Sequence, residues 1–494
     1  MKLLKSWIKS RINYDEVEKY LENGRDFIND EEIWEKLKKY KNPDKSLVRE
    51  IFQKALSIET LTPDECAILL NVGDEELLEE MKVVARQIKK KVYDNRIVTF
   101  APLYTGNYCV NNCLYCGFRR ENQVIKRKIL TEDEIIRETE VLAGEIGHKR
   151  LIVVYGEHPS MGVDYIARSL ELIYGVKVKV RNGFGQIRRC NVNAPPLQID
   201  ELKRLVEVGI GTYQVFQETY HHETYRKVHP QDTIKGDYRW RLYAMHRALE
   251  AGVDDVGIGA LFGLYDWRFE VMGLLYHARE LERKFGVGPH TVSFPRLEPA
   301  ANTPFVQETK YKVSDDDFEK IILVLRLAIP YAGMILTARE PQKIRDRLVH
   351  YGITQMDAST RIGIGAYSDR YDKQELERQQ FLIGDTRNLD ELVRDLASFG
   401  YITSFCTAGY RCGRTGDMIM KLLKTGKEGQ FCKLNAVLTF KEWLLDFGTP
   451  KTQEVGNRLI EKELEEIKLK LPRAYPRVLD YLQRIENGKR DLFF

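Results

Sequence analysis

The chain has 494 residues, of which 43% are hydrophobic and 30% charged, and its formal net charge is +4. This is the composition of a globular protein able to bury a large core. The small net charge and the lack of a long basic block speak against a nucleic-acid partner. The opening "MKLLKSWIKSR" is too short and too broken by lysine for an export signal. The longest apolar run, "IILVLRLAIPYAGMIL", contains Arg326 and Pro330, which suits a core helix entering a strand better than a membrane span. The expectation is a cytoplasmic protein with no membrane contact, whose eight cysteines are thiols or metal ligands rather than disulfides.

Residues 1–95 read as a helical extension. "NDEEIWEKLKKY" opens on an Asn cap, and "TPDECAILLNVGDEELLEEMKVVARQIKKKV" carries apolar residues at helical spacing. From residue 96 to 365 the pattern alternates. Strands are predicted at "VTFAPLY", "RLIVVYG", "RRCNVNA", "GTYQVFQE", "DDVGIGALFGL", "PHTVSFPR", "GMILTARE" and "TQMDAS". Between them lie amphipathic runs such as "TEDEIIRETEVLAGEI", "VDYIARSLELIYG" and "WRFEVMGLLYHARELERKFG". Eight strands alternating with helices indicate an α/β fold, a (β/α)8 barrel, with an open doubly wound sheet as the competing arrangement. Residues 366–494 turn helical and polar again, with "RNLDELVRDLAS" and "RLIEKELEEIKLKLPRAYPRVLDYLQRIENG", and form a C-terminal domain.

The first predicted strand runs into "YTGNYCVNNCLYCGFRREN". Cys109, Cys113 and Cys116 form a C-x3-C-x2-C motif at the strand's C-terminal end, where barrel enzymes carry their sites. Three close thiolates suit a soft metal centre, yet are one too few for closed tetrahedral zinc or a fully ligated iron–sulfur cube. An iron lacking a protein ligand would be open to an external one. Glu218 ends the fourth strand in "FQETYHH", and Cys66 and Cys190 lie in apolar patterns, as inert core thiols do.

This loop, with the aromatic Tyr115 before its last cysteine, resembles the signature of the radical S-adenosylmethionine (SAM) enzymes. The resemblance implies a [4Fe-4S] cluster on Cys109, Cys113 and Cys116, with SAM on its unique iron. Tyr115, Gly156, Glu157 and Glu218 are then cofactor-binding candidates. Gly156 and Glu157 in "YGEHP" match the family's GGE element, with Tyr155 in place of the first glycine. Further stretches, among them "IRRCNVN", "AGVDDVGIGALFGLYD", "FGVGPHTVSFPRLEPA" and "IPYAGMILTARE", are similar to HydG-type tyrosine lyases. That implies cleavage of the Cα–Cβ bond of tyrosine, or of a similar aromatic amino acid, to p-cresol and dehydroglycine. It also implies a low-potential electron donor and hydrogenase maturation proteins as partners. Arg339, ending "ILTAR", is the candidate for the substrate carboxylate, since a guanidinium pairs with it bidentately. His277 and His290 are candidates to face the cavity between two clusters.

The family's C-terminal motif is C-x2-C, twenty-two residues, then C, binding a second iron–sulfur cluster. Here Cys406 and Cys432 match its ends, Gly409 occupies the middle, and Cys412 stands three residues beyond. Either Cys412 serves as third ligand, or the domain has lost its typical cluster or holds another metal. The first makes the chain a full maturase yielding iron-bound carbon monoxide and cyanide. The second leaves a lyase that stops at dehydroglycine, like a 2-iminoacetate synthase. A non-catalytic iron–sulfur carrier is the alternative from another class.

Overall fold

The computed structural model describes residues 2–370, 373–408, 416, 421–423 and 428–494, without the side chains of 2–5 and 428–431. Eight parallel strands close into a barrel: β1 (Arg96–Tyr104), β2 (Arg150–Val154), β3 (Arg189–Asn193), β4 (Tyr213–Gln214), β5 (Val256–Gly259), β6 (Thr291–Ser293), β7 (Gly333–Leu336) and β8 (Gln355–Asp357). Seven fall inside the runs predicted above, and β1 begins two residues before its run, at Arg96. Closure comes from β1 pairing with β8, Val98 opposite Gln355 and Phe100 opposite Asp357, which excludes the open sheet. The strands read as nearly continuous apolar runs because helices cover the barrel outside and side chains fill it inside.

The crossovers carry α1 (Glu132–Glu140) after β1, α2 (Val163–Gly175), α3 (Ile199–Val208), α4 (Ala244–Glu250), α5 (Trp267–Phe285), α6 (Asp315–Ala328) and α7 (Gln342–Leu348). Local chemistry starts several of them. Thr131 and Glu134 form a reciprocal capping box on α1, and Ser314 caps α6 through the Asp317 amide. The run ending in Pro330 divides into α6 and β7, with Arg326 buried and bonded to the carbonyls of Pro330 and Gly352. Among the described residues no helix is long and apolar enough to cross a membrane. The N-terminal residues fold into helices ending in Glu75–Tyr93, which packs against α6.

β1 is nine residues long and fully buried, and it serves more than the barrel. Its upper half pairs with β2 from Ala101 to Tyr104. Its lower end pairs over Arg96–Val98 with a ninth strand, β9 (Ile402–Ser404), on the β2 side below where β2 begins. The segment from residue 366 therefore travels. Gln380 and Phe381 cross the top of the barrel, with Leu382 bonded to the Pro299 carbonyl and Gly384 to that of Ala338. Then α8 (Leu389–Ser398) leads to β9 at the bottom, followed by α9 (Glu428–Asp446), α10 (Pro450–Lys470) and α11 (Tyr475–Glu486).

A buried ion triad ties α9 to the barrel floor. Glu442 is 2% exposed and lies 2.7 Å from Lys149, itself 1% exposed, and 2.6 Å from Arg188. Burial alone would raise the Glu442 carboxyl, but the two cations outweigh it and hold it at about 2. Burial and Arg188 push the Lys149 ammonium down, so Arg188 is the firmer counter-charge. A carboxyl held below its unfolded value stabilises above the unfolded pKa, and that stabilisation fades as pH falls through the folded one. Glu442→Ala is expected to cost about 3–5 kcal/mol by leaving Lys149 buried without its carboxylate. Denaturant midpoints against pH should show the gap to wild type closing from about pH 5 towards pH 2.

Candidate active site

The loop after β1 folds over the C-terminal mouth of the barrel, and one guanidinium organises it. Arg127 donates to the carbonyls of Asn107, Phe118, Arg119 and Asn122, stapling both ends of the cysteine segment. The loop also needs glycine at two close approaches. A Cβ on Gly156 would sit 2.2 Å from the Tyr108 carbonyl oxygen, and one on Gly117 2.6 Å from that of Gln380. Tyr115 is buried beneath it. The His229 Nδ1 donates to the Tyr225 carbonyl, which leaves Nε2 to accept from the Tyr115 hydroxyl at 2.8 Å.

Cys109, Cys113 and Cys116 line one cavity of about 200 Å³ with Gly156, Glu157, Glu218, Lys235, Arg241, Glu298, Arg339 and Gln380. Two side-chain amides point at sulfurs, Asn111 Nδ2 at Cys109 (3.6 Å) and Gln380 Nε2 at Cys116 (3.3 Å). Burial pushes the Cys113 thiol up to about 12, so metal binding there must displace its proton. Among the described residues no three His, Cys, Asp or Glu side chains converge on one metal-ion position. A cube does not require such convergence, because each thiolate of a cluster binds its own iron.

The carboxylates in this cavity differ. Glu218 sits at φ 71°, a left-handed backbone that a non-glycine residue adopts only under constraint. Its carboxylate meets Lys235 at 2.7 Å and Arg241 at 3.1 Å. Burial would raise it, but these cations hold it below its ordinary value. Glu157 accepts from Asn111 Nδ2 at 2.5 Å, while its buried Oε1 has no partner, and burial raises its carboxyl. An unsatisfied buried carboxylate oxygen at the cavity wall is a place for a ligand's donor. Tyr155 does not obstruct it, since its hydroxyl turns to Ser169 on α2 at 2.7 Å.

Arg339 stands where this cavity meets a second one inside the barrel. The two share Tyr104, Val154, Asn193, Phe216, Pro295 and Phe381 besides Arg339. The interior cavity, about 100 Å³, adds Phe100, Ile152, Gln214, Ile335 and Asp357. The Arg339 guanidinium stacks on Phe381 at 3.4 Å and donates at 3.4 Å to the Arg296 carbonyl, and no carboxylate among the described residues lies within 4.0 Å of it.

A third cavity lies at the other mouth. Cys406, Cys432 and His290 line it with Arg96, Val98, Arg150 and Gln355. Val98, Arg150 and Gln355 are two residues below Phe100, Ile152 and Asp357 on the same strands, so this floor is the next layer of the barrel interior. Cys406 is held there by Arg150, which donates to its carbonyl at 3.1 Å. Gly409 and Cys412 lie outside the described residues. His290 thus joins two of the C-terminal cysteines, whereas His277 lines none of these three cavities. His277 is buried in α5, its Nδ1 2.9 Å from the Tyr220 hydroxyl and its ring against Phe27 and His246, and burial keeps it neutral. Cys66 and Cys190 are fully buried in the apolar core.

Sequence reading missed Arg127, Lys235, Arg241, Glu298 and Gln380. Arg127 sits in an ordinary basic run, and Gln380 arrives from beyond the barrel. Neither carries a local signal.

A closed parallel barrel with three thiols on the loop after β1 and charged groups converging beneath them defines a class of radical enzyme scaffold. The Radical SAM superfamily model matches residues 103–272, and that of the Biotin and Thiamin Synthesis associated domain residues 293–402. A crystal structure of HydG, described as a maturase of the [FeFe]-hydrogenase, is 49% identical, covers 95% of this chain and 100% of its own, and superposes with a TM-score of 0.90. The HydG structure from Carboxydothermus hydrogenoformans is 39% identical, covers 93% of this chain and 97% of its own, and has a TM-score of 0.76. The 2-iminoacetate synthase of Escherichia coli (strain K12) is 31% identical over 350 residues, 70% of this chain and 88% of the enzyme. The chain belongs to the radical S-adenosylmethionine superfamily, in its HydG-like branch.

Membership implies a [4Fe-4S] cluster and SAM, and the residues present fit both. There are three thiols with amide donors on their sulfurs, a glycine-bounded cradle at Gly156, and a partnerless carboxylate oxygen on Glu157. Cys113→Ala is expected to lose the iron and sulfide of one cluster after anaerobic reconstitution, with thermal stability nearly unchanged. Iron and sulfide analysis per chain checks this.

Proposed function

We propose that the protein is a radical SAM lyase that cleaves the Cα–Cβ bond of tyrosine, releasing p-cresol and dehydroglycine. When bound, the cluster and SAM supply one-electron cleavage of a sulfonium to a 5′-deoxyadenosyl radical, given a low-potential electron donor. Cys109, Cys113 and Cys116 would hold the cluster. Glu157 and the Glu218–Lys235–Arg241 group would orient the cofactor's polar ends.

The observation that carries the reading is Arg339, a half-buried guanidinium with no acidic partner among the described residues, at the junction between the cysteine cavity and the barrel interior. A cation partly withdrawn from water without a counter-charge is costly, and a substrate carboxylate would relieve that cost. From that anchor a side chain can extend down into the interior cavity, whose apolar wall of Phe100, Ile152, Phe216 and Ile335 suits an aromatic ring. Asp357, Thr360 and Gln214 stand among the same walls and offer polar contacts for a phenol hydroxyl. Phe381 and Gln380 cover the cavity mouth and limit water.

A second reading extends the first. Cys406, Cys432 and His290 line one cavity on the barrel axis, below the site where dehydroglycine would form. This supports a second metal centre there, and with it formation of iron-bound carbon monoxide and cyanide for hydrogenase maturation proteins. It requires a further ligand, for which Cys412 is the candidate.

Anaerobic incubation with SAM, reductant and tyrosine should yield 5′-deoxyadenosine and p-cresol in step. Deoxyadenosine without cresol would defeat the tyrosine assignment, and no SAM cleavage with any amino acid would favour the carrier alternative. Arg339→Met should raise KM for tyrosine roughly 10- to 100-fold, from the loss of a charged hydrogen-bonded pair. For the second reading, the Cys406→Ala/Cys432→Ala protein should hold fewer irons than wild type and still make cresol. Equal iron in both would end that reading.

A further inference from the structure

Four charged side chains stand at the tops of β6 and β7: Arg296, Glu298, Arg339 and Glu340. Two are already satisfied. Arg296 grips Glu340 through both nitrogens of its fork, one of them at 2.9 Å, and reaches Asp315 at 2.9 Å. The other two are not. Arg339 makes the stacking contact and the single long hydrogen bond described above. Glu298 has neither a hydrogen bond nor an ion pair among the described residues, although it lines the same cavity as Arg339 and the three cysteines. Arg339 acts on its charge, but at more than the 4.0 Å of a direct ion pair. Of the other carboxylates in the cavity, Glu218 is committed to two cations, while Glu157 accepts from the neutral Asn111 amide and keeps its second oxygen unpartnered among the described residues.

At the neighbouring tops of β6 and β7 the structure thus leaves one cation and one anion facing the same space without touching each other. Holding two unpaired charges partly out of water is unfavourable unless a ligand completes both. The complementary ligand carries a carboxylate and an ammonium on one carbon.

We infer that Glu298 and Arg339 together bind the zwitterionic head of a free α-amino acid, Arg339 holding the carboxylate and Glu298 the ammonium. This rests on the reading that the substrate is an amino acid, and it adds the group that requires the α-amine. Glu298 thereby sets the orientation of the nitrogen relative to the cysteine cavity. It also rejects hydroxy-acid and deaminated analogues, because such ligands leave its carboxylate unpaired in the closed site. Burial and the charge of Glu340 raise the Glu298 carboxyl to about 7, as expected of an anion lacking its partner.

The test is equilibrium binding to the full-length protein, anaerobically reconstituted and loaded with SAM. The probes are tyrosine, 3-(4-hydroxyphenyl)propionate, which lacks the ammonium, and tyramine, which lacks the carboxylate. Glu298→Gln should weaken tyrosine roughly 10- to 100-fold. It should weaken tyramine comparably and leave the propionate within about twofold of wild type. Arg339→Met should weaken tyrosine and the propionate but not tyramine, and Glu298→Asp should recover part of the tyrosine affinity. Unchanged tyrosine binding in Glu298→Gln overturns the proposal, and so does equal weakening of tyrosine and the propionate, the mark of a merely structural role. If wild type ignores tyrosine but binds another α-amino acid in a Glu298-dependent way, the tyrosine assignment falls and the zwitterion site stands. If no α-amino acid binds, both fall.

Discussion

The architecture depends on the obligation of β1 to satisfy its backbone. A buried strand must satisfy its amides and carbonyls, and β1 pairs along its nine residues with three different partners. Its middle pairs with β8 and closes the barrel. Its top pairs with β2 and launches the cysteine loop over the C-terminal mouth. Its bottom is longer than the barrel needs, and β9 covers it, drawing Cys406 beneath the floor. One strand thus sets both ends of a single axis, roughly 26 Å apart along extended chain.

The cavities follow from this arrangement. Inward-facing residues alternate along each strand, so Val98, Phe100, Pro102 and Tyr104 mark successive levels from the C-terminal cysteines to the three-cysteine loop. The upper level is crowded with charge and the middle is mostly apolar. The floor again gathers cations, Arg96 and Arg150, with two thiols and an imidazole. A small molecule with a charged head and an aromatic tail matches the first two levels, and a metal centre matches the third.

Charge within the upper level is distributed unevenly. Glu218 and Glu340 are neutralised by protein cations. Among the described residues Glu157 keeps one oxygen unpartnered, and Arg339 and Glu298 stand without an ion-pair partner. Fixed charges that have partners hold the cavity's shape, while those that lack them define what can enter.

The eight strands and the three-cysteine loop were legible in the sequence, because strand burial and cluster ligation are local patterns: short apolar runs and thiols seven positions apart at most. The radical SAM class followed from the same few residues. Placement was not legible. His277 stood ahead of His290 as a candidate, yet the fold buried His277 within α5 against Phe27 and His246, while His290 lines the floor with Cys406 and Cys432. Arg339 could be nominated by type, but its lack of an acidic partner depended on Arg296 taking Glu340 across two strands. Gln380 and Phe381 reach the mouth only because the chain doubles back after β8. Local sequence determines which elements form and which groups can ligate. Only tertiary packing decided which charges are spent on one another and which are left for a ligand, because that balance is struck between residues distant in the chain.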